Sequence, residues 1–450
     1  MSTSALDPVQ SARFRAHGPR QIDEIAARYG LSEEIRQAVR RLSLVLPFRV
    51  NDYVLSQLVD WRDIPEDPIF QMVFPQRGML ADDDERQLAK LLDEAASKAR
   101  IAEVVRGIRA RLNPHPSGQK ELNVPHLDGV PLPGLQHKYR ETVLYFPANG
   151  QSCHAYCTYC FRWAQFVGDA DLRFAAPGPN QLIAYLRRHQ EVSDVLVTGG
   201  DPMVMSTARL RDHIMPLLGV DSIRTLRIGT KSLAYWPQRF ITDKDADDVL
   251  RLFEDVVASG RNLAVMAHFS HPRELDTDLV RQALSRIRST GALVYGQAPL
   301  IAHVNDDART WTRLWRAELA TGIVPYYLFV ERDTGPHEYF KVPLARALDI
   351  FRNAYVDLPG LARTVRGPVM SATAGKVVVD GIEHSERGAY FQLRLLQARD
   401  PSLVGRPFRA HYSSIASWLD QLRLEVGTSA DIAAALLRAT EPGVSNQRRI

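Results

Sequence analysis

The chain contains three cysteines only, and they stand together as Cys153-x3-Cys157-x2-Cys160. Thiolates bind iron–sulfur clusters well, and four of them close a [4Fe–4S] cluster. Three leave one iron without a protein ligand. The amino and carboxylate groups of S-adenosylmethionine (SAM) can chelate that iron, and an electron passed into the sulfonium then breaks a C–S bond to give a 5′-deoxyadenosyl radical. In such a system the cofactor supplies the radical, while the protein supplies geometry and the exclusion of water. Plainer readings compete: a structural zinc wants four ligands, so His154 or another histidine would have to join the thiols, and the cysteines could be inert core residues. The spacing and the absence of any other cysteine favour the cluster.

A loop with such a task needs a scaffold. From Glu141 onward, apolar runs alternate with amphipathic segments. Strands are expected at Thr142–Phe146, Asp194–Thr198, Thr225–Ile228, Leu263–His268, Leu293–Gln297 and Val324–Val330. Helical patterns fall at Asn180–Gln190, Thr207–Leu218, Lys244–Ser259, Asp278–Ser289, Ala308–Ala320 and Leu344–Ala354, several ending at a glycine such as Gly260, Gly291 or Gly322. Strict alternation implies a parallel sheet with right-handed crossovers. Chemistry then gathers at the C-terminal ends of the strands, and the cysteines follow the first of them. An incomplete barrel and an open doubly wound sheet both satisfy the pattern.

The flanks read differently. Arg20–Ala27 and Ser32–Leu44 carry helical spacing, and a longer helix is expected from Asp82-Asp83-Asp84 to just before Asn113-Pro114. Pro114–Leu135 is rich in proline and glycine and reads as an irregular connector. Beyond Leu361 the chain reads as irregular, with a short apolar run at Val377–Val379 and a helical pattern near Ile415–Leu424. A formal charge of +4 over 450 residues, without a Lys/Arg block, gives no electrostatic case for nucleic acid or a membrane surface. The N-terminus shows no secretory signal and no stretch reaches transmembrane length, so a cytoplasmic protein is expected.

Several segments recur in order: His137-Lys-Tyr-Arg, the cysteine run continuing into Phe161-Arg162, Thr198-Gly-Gly-Asp-Pro202, Arg227-Ile-Gly-Thr230, Pro237-Gln-Arg239, His268-Phe-Ser-His-Pro272, Val304-Asn-Asp306 and Pro325-Tyr-Tyr327. Together, from about Gly134 to about Lys376, they resemble the lysine 2,3-aminomutase family of radical SAM enzymes. The resemblance implies reversible use of SAM, with pyridoxal 5′-phosphate (PLP), to move an amino group between Cα and Cβ. It also implies an α/β fold built on an incomplete (β/α)6 barrel.

Roles follow by resemblance, position by position. Cys153, Cys157 and Cys160 hold the cluster, and Gly199, Gly200 and Asp201 contact SAM, as does His268, with His271 evenly balanced. Taken alone, a Gly-Gly-Asp is as readily a turn, and a strand histidine as readily a satisfied core residue. Gln297, ending the fifth strand, is a further polar candidate. Arg162 is suited to clamp a substrate carboxylate; the plainer role is a surface ion pair. Lys376, after Ser371-Ala-Thr-Ala-Gly375, is expected to bond covalently to PLP, although the family's glycine-rich stretch is longer and followed by Thr-Pro rather than Val377-Val378-Val379. Tyr139 matches a tyrosine beside PLP, and Lys138 stands where an arginine contacts its phosphate. Lysine-specific members carry an aspartate soon after the Tyr-Tyr pair; counting places Arg332 there, which favours a glutamate-like substrate over lysine. A one-residue shift would instead offer Glu331 or Asp333. The family's C-terminal cysteine cluster for zinc has no counterpart.

The expected protein is thus an isomerase, a radical SAM, PLP-dependent amino acid 2,3-aminomutase. Its parts would be a helical region (1–113), a connector (114–140), a partial barrel (141–360) and an extension with the PLP lysine (361–450). Expected partners are a small amino acid and an external electron donor, with homo-oligomerisation through the helical region open. The alternatives are a PLP-free radical SAM enzyme and a non-enzymatic metal or electron-transfer module.

Overall fold

The computed structural model describes residues 14–113, 122–168, 174–386 and 388–437. The N-terminal octet read for a signal and residues 114–121 of the connector lie outside them. Helices α1 (Ile22–Tyr29) and α2 (Glu33–Leu42) form where the apolar spacing placed them. Ser32 caps α2, its hydroxyl accepting from the Ile35 N–H, and Ala38, Val39 and Leu42 turn inward. The single long helix expected from Asp82 is two, α3 (Asp82–Asp93) and α4 (Lys98–Leu112). The chain turns at Ala95, whose φ is +47°. Ser97 then caps α4 through the Arg100 N–H, and such a cap competes locally with helix continuation.

An eleven-stranded sheet forms the rest, its strands hydrogen-bonded in chain order from β1 to β11. These are β1 (Leu135–Tyr139), β2 (Thr142–Tyr145), β3 (Asp194–Val197), β4 (Thr225–Thr230), β5 (Asn262–His268), β6 (Leu293–Leu300), β7 (Val324–Val330), β8 (Arg366–Ser371), β9 (Gly375–Ser385), β10 (Gly388–Ala398) and β11 (Pro407–His411). Strands β2 to β8 are mutually parallel, whereas β1 and β9 to β11 are antiparallel to their neighbours. Helices α5 (Asn180–Arg188), α6 (Thr207–Ile214), α7 (Ala246–Ala258), α8 (Asp278–Ser289), α9 (Ala308–Ala320) and α10 (Leu344–Val356) follow β2 to β7 in turn. Along β3, β4 and β6 buried residues alternate with half-exposed ones, so one face is packed under the helices and the other is partly open. Across the sheet, Lys138 of β1 donates to the Ala372 carbonyl after β8, and Arg399 after β10 donates to the Leu122 carbonyl. An eleven-stranded sheet whose far strands meet its first strand is strongly curved.

The C-terminal part departs from expectation. Residues 366–411 are strands rather than irregular chain, with their own core around Met370, Val377, Val379, Phe391, Leu393 and Leu395. Their period-two pattern is masked by bulges at Lys376/Val377 and Val379/Gly381, which shift the alternation mid-strand. Leu135–Tyr139 of the connector is a strand as well, held by its ladder to β2. The helix expected at Ile415–Leu424 is only a 3-10 turn at Leu419–Gln421, because the Gln421 side chain accepts from the Ser417 N–H. A helix stands instead at Ala430–Leu437. The N-terminal helices share one continuous core with β2 to β6. Among the described residues no helix is long and apolar enough to cross a membrane.

Two contacts make tests of this packing. A Cβ added at Gly200, just past β3, would lie 2.3 Å from the Ser152 carbonyl oxygen of the cysteine loop. Gly200→Ala should therefore displace that loop, at about 1–3 kcal/mol, and reduce iron retained after reconstitution to below half; unchanged iron content would contradict the seating. The Glu318 carboxyl of α9 is buried under Gly296 of β6. Burial pushes its pKa from 4.5 to about 8. The folded state keeps this proton longer than the unfolded chain, so the stability it confers is full below about 4.5 and is lost as pH rises to about 8. Glu318→Gln should gain on wild type by a few kcal/mol, in order of magnitude, between pH 5 and 8.5 in urea unfolding; a pH-independent difference would refute the buried neutral acid.

Candidate active site

The cysteine loop follows β2 and is seated from below and from both sides. The Tyr156 N–H donates to the Arg49 carbonyl and the Thr158 N–H to the Met72 carbonyl, so the N-terminal region grips its outer edge. On the inner edge the Gly200 N–H donates to Gly150 and the Asp201 N–H to Ser152. Gly199 and Gly200 thus leave room for the close approach of this loop's backbone. The Asp201 carboxylate is buried and fully engaged. It accepts from His154 Nε2 (3.0 Å), Thr230 Oγ1 (2.8 Å), the Lys231 N–H (2.9 Å) and the Met203 N–H (2.9 Å). Burial alone would raise its pKa, yet the His154 bond and the backbone donors hold it below the usual value. Any service it gives to SAM therefore passes through the loop it holds.

The three thiols are free, half-exposed and close enough that the negative charges of Cys157 and Cys160 each bear on Cys153. Burial pushes all three thiol pKa values up, and Arg162 and Lys231 are the cations that oppose it. His154 points away toward Asp201 and does not complete a Cys3His site. Among the described residues no three His, Cys, Asp or Glu side chains converge on one ion-sized site. Three thiolates that each bind a different iron are the ligand set a [4Fe–4S] cluster with one open iron needs, whereas a structural zinc needs a fourth ligand on the same ion.

His268 and Gln297 are register partners at the C-terminal ends of β5 and β6 and so share one face. Burial holds the His268 pKa down at about 3, with Lys231 adding to the effect; the ring is neutral. His271 is turned to another task, its Nδ1 accepting from the Arg273 N–H at the start of a 3-10 turn.

Arg162 and Arg332 both lie over the Phe161 ring. Arg162 donates through NH1 to Thr198 Oγ1 (2.9 Å) and the Gly199 carbonyl (2.7 Å), and its guanidinium lies over Phe146 and Phe161. No acid faces it in an ion pair within the described contacts. Arg332, in the loop after β7, lies between the rings of Phe161 (5.9 Å) and Trp418 (6.0 Å). Its neighbour Glu331 is engaged by His337 Nδ1 at 2.7 Å, and burial raises the Glu331 pKa to about 7. Position 332, after the Tyr-Tyr pair, is therefore cationic, with Glu331 engaged by His337.

Lys376 opens β9, opposite Gln397 of β10, whose Oε1 accepts from Nζ at 2.7 Å. The ammonium sits over Tyr327 (4.7 Å) and Tyr139 (5.4 Å). Burial, then Arg227 and Arg366, hold its pKa down at about 7, which makes a substantial fraction nucleophilic amine near neutrality. Burial likewise holds Lys138 well below its ordinary range, with Arg399, Arg332 and Lys376 adding to the effect. Lys138 and Arg399 converge on the backbone of Ser371–Ala374, Lys138 donating to the Ala372 carbonyl and Arg399 to the Thr373 carbonyl and to Asn123 Oδ1. Two cations held so close suit an anion such as a phosphate, and the buried Tyr139 ring beside Lys376 suits a planar heterocycle. Arg399, Gln397 and Arg366 were missed from sequence. They lie in strands that read as irregular chain, and only the β9–β10 register brings Gln397 to Lys376.

No family model matches the sequence. Curated relatives do. A putative L-lysine 2,3-aminomutase of Aquifex aeolicus is 30% identical over 390 residues, 87% of this chain and 91% of that protein. The L-lysine 2,3-aminomutase of Haemophilus influenzae is 30% identical over 52% of this chain and 68% of its own length, and that of Escherichia coli 29% identical over 52% and 67%. Among solved structures, Streptococcus suis SuiB bound to S-adenosylmethionine aligns at 14% identity over 61% of this chain and 57% of its own, with a TM-score of 0.34, too slight a likeness to argue from. The length and identity of the Aquifex match, on a chain with this cysteine loop and strand order, place the protein in the lysine 2,3-aminomutase family of radical SAM enzymes.

Proposed function

We propose that the protein is a radical SAM, PLP-dependent amino acid 2,3-aminomutase, an isomerase that acts on an α-amino acid with a second carboxylate, such as glutamate. The observation that carries this reading is the meeting of Arg162, Arg332, Lys138 and Lys376 on the open face of the curved sheet, beside the cysteine loop. A [4Fe–4S] cluster on Cys153, Cys157 and Cys160 with SAM supplies a carbon radical when bound, and PLP supplies the conjugation that lets nitrogen migrate. Arg162, already oriented by Thr198 and Gly199, offers a guanidinium edge to the α-carboxylate. Arg332, steadied between Phe161 and Trp418, offers a second to the distal carboxylate. Lys376 presents an amine near its own pKa to the PLP aldehyde, and Lys138 with Arg399 neutralises the phosphate. Neutral His268 and Gln297 line the SAM side, and Gly199 and Gly200 keep the cysteine loop close enough for SAM to share their edge. The reading implies a partial (β/α)6 barrel whose extension 361–450 continues the sheet, a helical region 1–113 and a connector 114–140. It further implies a cytoplasmic enzyme fed by an external one-electron donor.

Reconstituted protein, incubated anaerobically with SAM, PLP, a reductant and separate amino acids, should convert glutamate to its β-amino isomer by mass spectrometry and leave lysine unchanged. Turnover of lysine instead would mean that Glu331 or Asp333 faces the substrate. SAM cleavage with no isomer and no PLP uptake would favour a PLP-free enzyme. Arg332→Asp should cost the glutamate reaction about 10²-fold or more in kcat/KM, in line with about 3 kcal/mol for a charge-assisted pair; an unchanged kcat/KM would remove Arg332 from the substrate site.

A further inference from the structure

Phe161 directly follows the last cysteine, yet its ring is not part of the core. The residue is 40% exposed and belongs to none of the buried apolar clusters. What lies over the ring is a pair of cations, the Arg162 guanidinium at 5.0 Å and the Arg332 guanidinium at 5.9 Å from its centre. Each cation also lies over a second ring, Phe146 for Arg162 (4.6 Å) and Trp418 for Arg332 (6.0 Å). In order of contact, Phe161 is the middle member of an alternating row of rings and guanidinium groups.

The row joins segments far apart in sequence, since Arg162 follows β2, Arg332 follows β7 and Trp418 follows β11. Two like charges that share one ring repel each other, and the Arg332 Nε is buried without a hydrogen-bond partner. A buried donor left unpaired calls for an acceptor, and two adjoining cations call for two anionic groups. An aromatic ring holds a guanidinium by its face and leaves the N–H edge for a carboxylate. Because one rigid ring grips both, the two cations cannot move apart without leaving it. A short chain with a carboxylate at each end can answer both. Each added methylene must buckle or push a guanidinium off the ring.

We propose that Phe161 is a specificity-determining residue, whose ring fixes the spacing of Arg162 and Arg332 and so selects glutamate over 2-aminoadipate, its homologue one methylene longer. This rests on the substrate reading above, which assigns the two arginines to the two carboxylates. A tyrosine keeps the ring and the selection. An aliphatic side chain fills much of the same space but grips neither cation.

The test compares kcat/KM for glutamate and 2-aminoadipate in reconstituted wild type, Phe161→Tyr, Phe161→Leu and Phe161→Ala, each with iron, sulfide and PLP counted first. Wild type should prefer glutamate about tenfold or more, the scale on which one methylene is discriminated. Phe161→Tyr should keep that preference, whereas Phe161→Leu and Phe161→Ala should erase it, with the loss falling on glutamate. A ring that merely packs would, once removed, depress both substrates alike, so an unchanged ratio in fully loaded Phe161→Leu overturns the proposal. So does a wild type that converts both amino acids equally well. If Phe161→Ala loses its cluster, Phe161→Leu decides. Loss of the cluster in both assigns the ring to cluster retention and overturns the proposal as well. Wild type that converts neither dicarboxylate, or converts lysine instead, overturns the substrate reading itself, a result recognised before any variant is compared.

Discussion

One buried carboxylate ties the site together. Asp201 receives hydrogen bonds from the cysteine loop through His154, from its own turn through Met203, and from the end of β4 through Thr230 and Lys231. Three chain segments distant in sequence are thereby fixed to within a hydrogen bond of one another. Removing the acceptor would leave buried donors unpaired on all three at once, at a cost well above that of a surface bond. The adjoining glycines are the steric half of the same constraint, since the loop backbone occupies the space that a side chain at 199 or 200 would need. The precision available to any metal cluster here derives from that clamp.

The second constraint is electrostatic. Arg162, Arg332, Lys138, Arg399, Arg366 and Lys376 come from three loops and three strands, and burial lowers the pKa of several of them. Gathering so many cations with few acids is costly unless anions complete the arrangement. On the proposed reading, a PLP phosphate and two substrate carboxylates would supply three such anions. Burial first, then Arg227 and Arg366, brings the Lys376 amine near neutral pKa.

The strand–helix alternation was legible because each parallel strand is a short β-branched run bounded by caps, and the six expected pairs fall within a few residues of β2–α5 through β7–α10. The cysteine loop was legible from spacing alone. What stayed hidden depends on partners far away in sequence. Bulges at Lys376/Val377 and Val379/Gly381 disguise β9, so its neighbours Gln397 and Arg399 could not be assigned to the site. The approach of the cysteine-loop backbone to Gly199 and Gly200 was hidden because a sequence shows that backbone comes close to something without showing what.

The claim on which the rest turns is that the β8–β9 hairpin delivers the Lys376 amine to a PLP site facing the cysteine loop. Borohydride reduction of the protein equilibrated with PLP, followed by peptide mass spectrometry, tests it directly. The predicted result is a single pyridoxyl group on Lys376, abolished in Lys376→Ala with the fold intact. A pyridoxyl group on Lys138 or a surface lysine instead, or none at saturating PLP, would contradict it.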